Sequence, residues 1–293
     1  MPVARVLALT TLAMLAFAGN SLLCRIALRD TAIDAASFTA IRLVSGALVL
    51  WLLARTLRGS RVGRGSWASA GALFAYAAGF SFAYLSLPAG TGALLLFGAV
   101  QATMIGRGLW TGERLRGPQP LGFVLALGGL VGLLLPGISA PPLTGALLML
   151  GAGVAWGIYS LRGKGAGDPI RVTAGNFLRA APMALVLVLA MQVFQGTAVD
   201  GAGVGYALAS GALTSGIGYA LWYGVLPALK ATHAATLQLS VPVIAAFGGI
   251  VFLDEHVSWR LVLASAAILG GIALVILEKA GKPGLGAAPG PSR

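Results

Sequence analysis

Four amide side chains lie deep within apolar stretches of the chain, where they could bind a small polar molecule. Polar groups in apolar helices are costly and face a protein interior or a cavity. Asn20, Gln101 and Gln238 are predicted to contact a ligand. For these three, and for Asn176, the alternative is a hydrogen bond that joins two helices, worth about 0.6 kcal/mol on average.

Aromatic side chains recur at helical spacing and predict the wall of a cavity. Tyr76, Phe80 and Tyr84 are spaced by four and form a stripe on one side of a helix. Such a wall suits a ligand with an apolar or planar group, while core packing is the alternative. Tyr84 lies near a helix end and fits an interface belt instead. The predicted ring contacts are Tyr76, Phe80, Trp156, Tyr159 and Tyr219.

Two prolines within apolar runs are predicted to act as kinks or gates. Each displaces the hydrogen bond to the carbonyl four residues earlier, which belongs to Leu178 for Pro182 and to Gln238 for Pro242. A carbonyl freed beside the Gln238 amide could accept a hydrogen bond from an ammonium group. Simple bending of the helix is the alternative.

Two arginines within apolar runs are expected to anchor their helices. Arg42 and Arg179 each lie roughly 9 Å, or about six residues, inside the nearer end of a helix. From that depth, the long side chain of an arginine can extend to the nearer membrane surface. Structural anchoring is therefore expected for both.

The sequence has no pattern typical of enzymes. His233 and His256 form no metal-binding pair, and no nucleophile elbow or phosphate-binding loop is present. No catalytic residue, metal or cofactor is therefore predicted. Cys24 is the single cysteine and is expected to pack within a helix.

Composition predicts that the elements that carry these residues are membrane-spanning helices. The 293 residues are 58% hydrophobic and only 10% charged, against about 25% charged in soluble domains. Charges are absent from 65–106, 117–161 and 201–229, and each run is long enough for two helices of about 20 residues. The fold class is an all-α integral membrane protein. The ten predicted spans are 4–27, 36–55, 66–86, 89–109, 119–136, 143–163, 172–194, 202–225, 230–252 and 259–278.

Loop charge predicts the orientation of these helices. With a cytoplasmic N-terminus, fifteen of the twenty basic residues fall on the inner side and three on the outer side. This bias places both termini in the cytoplasm, and the expected location is a bacterial inner membrane. The first apolar run resembles a secretory signal but is interpreted as the first span. The tail 279–293 is rich in Gly and Pro and is predicted to be disordered.

The two halves of the chain resemble each other. The sequence around Arg42 reappears 137 residues later around Arg179, and that around Glu113 reappears 142 residues later around Glu255. Five helices in a half are an odd number, so the second half enters the membrane in the opposite sense. Inverted repeats of this kind surround a central cavity near the midplane and are typical of transporters with alternating access. The predicted repeats are 1–138 and 139–278.

The chain resembles the drug/metabolite transporter superfamily in its EamA-like branch. The resemblance rests on the ten inverted helices, on Ala18-Gly19-Asn20-Ser21 and Trp156-Gly157-Ile158-Tyr159 in helices 1 and 6, and on Gly112-Glu113 and Asp254-Glu255 after helices 4 and 9. It covers the chain up to Glu278, and within the branch the chain is similar to the YddG-type amino-acid exporters. The resemblance implies export of small metabolites, in this subgroup aromatic and other neutral amino acids.

The distribution of charge narrows the predicted substrate. Phosphorylated substrates need several converging basic groups, whereas these spans contain only Arg42 and Arg179, and all eight acids lie in loops or helix ends. We expect facilitated export of a zwitterionic amino acid without obligatory proton exchange. The alternatives are efflux of other small metabolites or drugs, and nucleotide-sugar or sugar-phosphate transport. The expected partners are the substrate and the lipid bilayer, without nucleic acid, and the chain is expected to be monomeric.

Overall fold

The computed structural model describes residues 2–280, apart from 57–63, 113, 138–139, 164–165, 195, 230–233 and 235–236. The described residues form ten helical segments and no strand. Nine of them are α1 (Val3–Asp30), α2 (Ala35–Thr56), α3 (Trp67–Tyr84), α4 (Ala89–Trp110), α5 (Gln119–Leu134), α6 (Leu143–Gly163), α7 (Pro169–Phe194), α9 (Ser240–Leu253) and α10 (Trp259–Ala280).

The eighth segment, α8, changes its hydrogen-bonding pattern along its length. Gly201–Leu208 and Gly218–Val225 are α-helical, and Ala209–Ile217 between them is a π-helix. A π-helical stretch carries an extra residue in its turn and is often found at functional sites. It rotates the side chains that follow relative to those that precede it.

The all-helical prediction is confirmed, and the apolar runs coincide with the helices. Among the described residues, α1, α2, α4, α6, α7 and α10 are long and apolar enough to cross a membrane, and α5 and α9 are apolar but shorter. The predicted span 230–252 differs most, because the described helix there begins at Ser240 and part of 230–239 lies outside the described residues. The predicted tail 279–293 lies almost wholly outside them.

Acidic residues in the loops begin several of the helices. The Asp34 carboxylate accepts hydrogen bonds from the backbone N–H groups of Ala36 and Ser37, each at 2.9 Å. Asp200 accepts one from the backbone of Gly203 at the start of α8. These carboxylates satisfy N–H groups that have no partner within the helix. This capping accounts for Asp34 and Asp200 at the starts of α2 and α8.

The helices pack as a bundle with a mainly apolar interior, which also holds a smaller set of buried polar residues, and an apolar exterior. Helix α2 packs against α7, α5 against α10, α3 against α6, and α1 along the length of α8, while α4 contacts both α6 and α9. Large apolar side chains cover the outer faces, as with Leu189 and Val193 of α7 and Phe252 of α9. Exposed apolar surface of this extent matches a lipid environment.

The two arginines within the spans have different surroundings. Arg179 fits the anchoring prediction: it is partly exposed, its Nη1 donates to the carbonyl oxygens of Arg64 and Gly175, and its guanidinium lies over the Trp67 ring. The prediction that Arg42 extends to the surface is wrong, because its side chain is 1% exposed. Neighbouring helices supply hydroxyl groups that hold Arg42 in the interior.

Candidate functional site

A cavity of about 560 Å³ lies within the bundle. Helices α1, α3, α4, α6, α7 and α8 contribute to its wall, together with residues before α9. Its volume falls within the range of roughly 300–1,000 Å³ that is typical of small-molecule sites. All eight residues predicted to contact a ligand line it: Asn20, Tyr76, Phe80, Gln101, Trp156, Tyr159, Tyr219 and Gln238.

A continuous group of aromatic rings forms one wall of the cavity. The Trp156 ring lies at its centre, 4.7 Å from the Tyr76 ring, 5.2 Å from Tyr159 and 5.3 Å from Tyr219, measured between ring centroids. The Phe80 ring extends the group at 5.5 Å from Tyr76. Because these rings come from α3, α6 and α8, the wall joins both halves of the chain. It offers flat apolar faces to a ligand.

Tyr84 does not belong to this wall or to an interface belt. Its side chain is completely buried, and its hydroxyl donates to the Ala89 carbonyl oxygen at 3.2 Å. Its ring packs at a right angle against Phe80, at 4.8 Å between centroids. Tyr84 therefore supports the aromatic wall from behind and closes the α3–α4 hairpin.

Hydroxyl groups of α8 hold the amide of Asn20. The Asn20 Oδ1 accepts hydrogen bonds from Ser210 Oγ at 2.7 Å and from Thr214 Oγ1 at 3.2 Å. Its Nδ2 lies 3.4 Å from the Tyr76 hydroxyl oxygen. Ser210 and Thr214 both belong to the π-helical stretch of α8. Asn20 thus joins α1 to α8 and also lines the cavity, so the two interpretations of this residue coexist.

The same π-helical stretch lies directly against α2. A Cβ atom on Gly211 would overlap with the Ser45 Oγ atom and the Arg42 carbonyl oxygen, so only glycine permits this approach. The close contact brings Ser215 to Arg42, whose Nε donates to the Ser215 hydroxyl oxygen at 3.3 Å. The Nη2 of Arg42 donates to the Tyr76 hydroxyl oxygen at 2.9 Å.

The remaining amides differ in their partners. Asn176 lines the cavity and also joins helices, because its Oδ1 accepts the backbone N–H of Ser66 at 2.9 Å, and its Nδ2 lies 3.5 Å from the Tyr159 hydroxyl oxygen. Gln101 and Gln238 line the cavity, and neither side chain forms a hydrogen bond to any described residue. Their amides are free to contact a ligand.

The two prolines occupy different positions. Pro182 lies within the continuous helix α7, is exposed and is not part of the cavity wall. Pro242 lies in the first turn of α9, and the helix is interrupted at Leu239, just after Gln238. The interruption places the Gln238 amide beside irregular backbone at the cavity wall.

The cavity extends toward one end of the bundle only. Its lining includes the exposed residues Gly163 and Gly167, where α6 ends and α7 begins, and the partly exposed Leu229 after α8. No residue from the opposite end, where α1 ends and α2 begins, lines it among the described part of the chain. We call the first end the open end and the second the closed end.

An ion pair ties three hairpins together at the closed end. The Arg25 Nε donates to Glu255 Oε1 at 3.3 Å, and its Nη1 donates to the Tyr84 carbonyl oxygen at 2.8 Å. The second Glu255 oxygen accepts the backbone N–H of Ala89 at 2.8 Å. Both side chains are mostly buried, with 14% and 12% exposed. The cluster fixes the end of α1, the start of α4 and the end of α9 to each other.

Sequence reasoning missed several polar residues around the cavity. Thr214 and Ser215 are buried on its wall, and Ser210 and Arg42 are buried behind it. The available signal was the group of hydroxyl residues inside an uncharged apolar run, which the cost of burying polar groups makes notable. The fold and the site together define a multi-pass helical membrane protein with a ligand-sized central cavity.

Comparison with known proteins identifies the family. Residues 143–277 match the EamA-like transporter family. The uncharacterized protein PA1977 of Pseudomonas aeruginosa is 61% identical over 284 residues, which cover 96% of this chain and 98% of that protein. The chain belongs to the EamA-like transporter family, within the drug/metabolite transporter superfamily. It is a membrane transporter and not an enzyme.

More distant relatives match half of the chain. The threonine/homoserine exporter RhtA of Escherichia coli is 33% identical over 160 residues, covering 52% of this chain and 53% of that protein. The uncharacterized transporter YoaV of Bacillus subtilis is 28% identical over 166 residues, covering 55% and 57%. A crystal structure of another protein has the same fold, with a TM-score of 0.65 at 23% identity over 94% of this chain and 98% of that one.

Proposed function

We propose that this transporter exports neutral amino acids across the bacterial inner membrane by alternating access. The observation that carries the proposal is the cavity itself: it combines an aromatic wall with the unpaired amides of Gln101 and Gln238, and no described residue of its lining is charged. A zwitterion has no net charge to compensate, and the amides and hydroxyls can bind its two ends. The name of RhtA, an exporter of two neutral amino acids, supports the same class.

The proposed preference for certain amino-acid side chains in the substrate rests on the cavity alone. Aromatic rings around Trp156 favour apolar and aromatic side chains. The relatives' names do not support an aromatic preference, since threonine and homoserine are small and polar. We therefore propose neutral amino acids as the class, with apolar and aromatic members preferred.

The packing of the helices supports the proposed inverted repeat. The inverted repeat pairs each helix of the first half with the helix five places later in the chain, so that α1 corresponds to α6 and α3 to α8. Under this exchange the α3–α6 contact becomes the α8–α1 contact, which is also observed. The α2–α7 and α5–α10 contacts are unchanged by it. Two pseudo-equivalent halves around one cavity can exchange conformations, so that the cavity faces either side of the membrane. Rocking of this kind is the mechanism that we propose.

The closed end supports an inward-facing assignment for this conformation. Loop charge places the open end, with Arg162 in the last turn of α6 and Arg171 in the first turn of α7, in the cytoplasm. The Arg25–Glu255 pair then closes the outer end. Substrate would enter from the cytoplasm, and breaking of this pair would accompany release outside. Both termini are cytoplasmic in this arrangement.

The energetic proposal is facilitated transport. Proton-coupled carriers commonly titrate a carboxylate within the membrane, and the described lining residues include no Asp, Glu or His. The gradient of the amino acid would then drive net movement. Efflux of drugs or other uncharged metabolites uses the same features and is the second candidate, favoured by the predominantly apolar aromatic wall.

Counterflow into proteoliposomes tests this proposal. Vesicles are loaded in turn with unlabelled phenylalanine, leucine, threonine, glutamate or a hydrophobic drug, and uptake of the labelled compound is measured without ion gradients. We expect uptake of the neutral amino acids and no uptake of glutamate. Uptake of the drug without any amino acid would contradict the proposed substrate class, and protein-free vesicles supply the control.

A further inference from the structure

Arg42 is a positive charge without a counter-charge in the interior of the bundle. Its Nη2 and Nε groups donate to the Tyr76 and Ser215 hydroxyls, and its Nη1 has no partner among the described residues. Among the described residues, both ion pairs involve other arginines, namely Arg25 with Glu255 and Arg29 with Asp30. A buried cation without an anion is strongly unfavourable in a membrane protein. The arrangement therefore indicates that a ligand supplies the negative charge.

The two residues whose hydroxyl oxygens accept hydrogen bonds from Arg42 belong to the cavity wall. Tyr76 and Ser215 both line the cavity, whereas Arg42 lies behind them. Each hydroxyl oxygen accepts a hydrogen bond from the guanidinium, and neither hydroxyl hydrogen has an acceptor within the described part of the chain. A hydroxyl that accepts from a cation becomes a stronger donor, because the bonds polarise each other.

The guanidinium of Arg42 also lies against two aromatic rings. Its guanidinium carbon lies 5.2 Å from the Tyr76 ring centroid and 4.9 Å from the Phe80 ring centroid. These faces stabilise a cation without neutralising it. The cavity wall therefore carries two polarised donors with a full positive charge behind them, a combination that suits a carboxylate and disfavours an ammonium group.

We propose that Tyr76 and Ser215 bind the carboxylate of the transported amino acid and that Arg42, behind them, is the residue that makes this site selective for an anion. The proposal rests on the proposed function, because it assigns one end of the proposed substrate. The amide oxygens of Gln101 and Gln238 on the same cavity wall are acceptors for the ammonium end. Arg42 is a positioning residue that acts through the two hydroxyls.

Binding to the protein in nanodiscs tests the assignment, with the change in intrinsic tryptophan fluorescence as the signal, since Trp156 and Trp222 both line the cavity. Three probes share one side chain: phenylalanine, phenethylamine, which lacks the carboxylate, and 3-phenylpropionate, which lacks the amine. We expect the wild type to bind phenylalanine at least about tenfold more tightly than phenethylamine, the effect of one charge-assisted hydrogen bond. In R42Q this ratio should fall to about one, and R42K should restore part of it.

Two further variants separate selectivity from folding. Y76F and S215A each remove a hydroxyl without changing Arg42, and each should reduce the same ratio several-fold. If R42Q does not fold, these two variants decide the matter. R179Q is the matched control, because Arg179 bonds backbone carbonyls away from the cavity, and its ratio should equal that of the wild type.

The outcomes distinguish the two proposals. The carboxylate site would be overturned if folded R42Q kept the wild-type ratio of phenylalanine to phenethylamine affinity, or if Y76F and S215A both kept it. Either result would leave the proposed amino-acid transport intact. If the wild type binds 3-phenylpropionate in an Arg42-dependent manner but no amino acid, the carboxylate site stands and the proposed function fails. Binding of none of the three probes would overturn both.

Discussion

Glu255→Gln is predicted to shift the transporter toward its outward-facing state. The substitution removes the charge that pairs with Arg25 and links the ends of α1 and α9. Breaking a fully buried pair costs about 3–5 kcal/mol and an exposed pair contributes about 0.2–1 kcal/mol. The side chains here are 14% and 12% exposed, and Arg25 keeps its bond to the Tyr84 carbonyl oxygen. We therefore expect a loss of about 1–2 kcal/mol, a five- to thirtyfold change in the ratio of the two states.

Accessibility of a cysteine in the cavity measures this shift. Ser160 lines the cavity and is only partly buried, so S160C in a C24A background reports from which side the cavity is open to a membrane-impermeant maleimide. The E255Q variant should be labelled faster from outside than its E255 parent and more slowly from inside. D30N is the matched control, because Asp30 pairs with its neighbour Arg29 within one exposed helix end. Equal labelling rates for E255Q and D30N, at equal folded yield, would refute the role of the pair.

Three other predictions concern packing, topology and energetics. Gly211→Val should lower the midpoint of thermal unfolding and the folded yield, because a side chain there overlaps with α2. Gly205→Ala should lower neither, since its Cβ would meet no atom within 4 Å. Equal stabilities of the two variants would contradict the close contact of α8 and α2. Cysteines at Ser60 and Ser139 should be labelled only from inside and only from outside, respectively, and labelling of both from one side would contradict the topology. A pH step alone should not drive concentrative uptake into proteoliposomes, and strong uptake would mean that a titratable group carries a proton.

The positions of the helices could be predicted because the membrane imposes simple rules. Long apolar runs with few charges must form helices in which every backbone group is satisfied, and the described helices coincide with such runs. The same cost of burying polar groups identified Asn20, Gln101 and Gln238, and depth within the helices identified the rings around Trp156. All of them line one cavity. Whether they contact substrate is still a prediction.

Other features depend on contacts between distant parts of the chain. The burial of Arg42 was missed because distance from a helix end suggests that an arginine can extend to the surface, whereas Ser215, 173 residues later, and Tyr76 hold it inside. The pairing of Arg25 with Glu255 joins residues 230 positions apart. The π-helical stretch changes the helical register, which a pattern based on 3.6 residues per turn cannot anticipate.

The central claim is that the ring-lined cavity is the site through which substrate passes, and Trp156→Ala tests it most directly. Trp156 contacts the rings of Tyr76, Tyr159 and Tyr219 on the cavity wall. Counterflow of the preferred amino acid should fall at least about tenfold, since a lost aromatic contact face is worth about 0.5–1.5 kcal/mol beyond the area that it buries, while folded yield should change little. Trp110→Ala, at an 86% exposed position outside the cavity, should transport normally. Normal transport by Trp156→Ala, or a loss of transport that only parallels a loss of folded protein, would contradict the account.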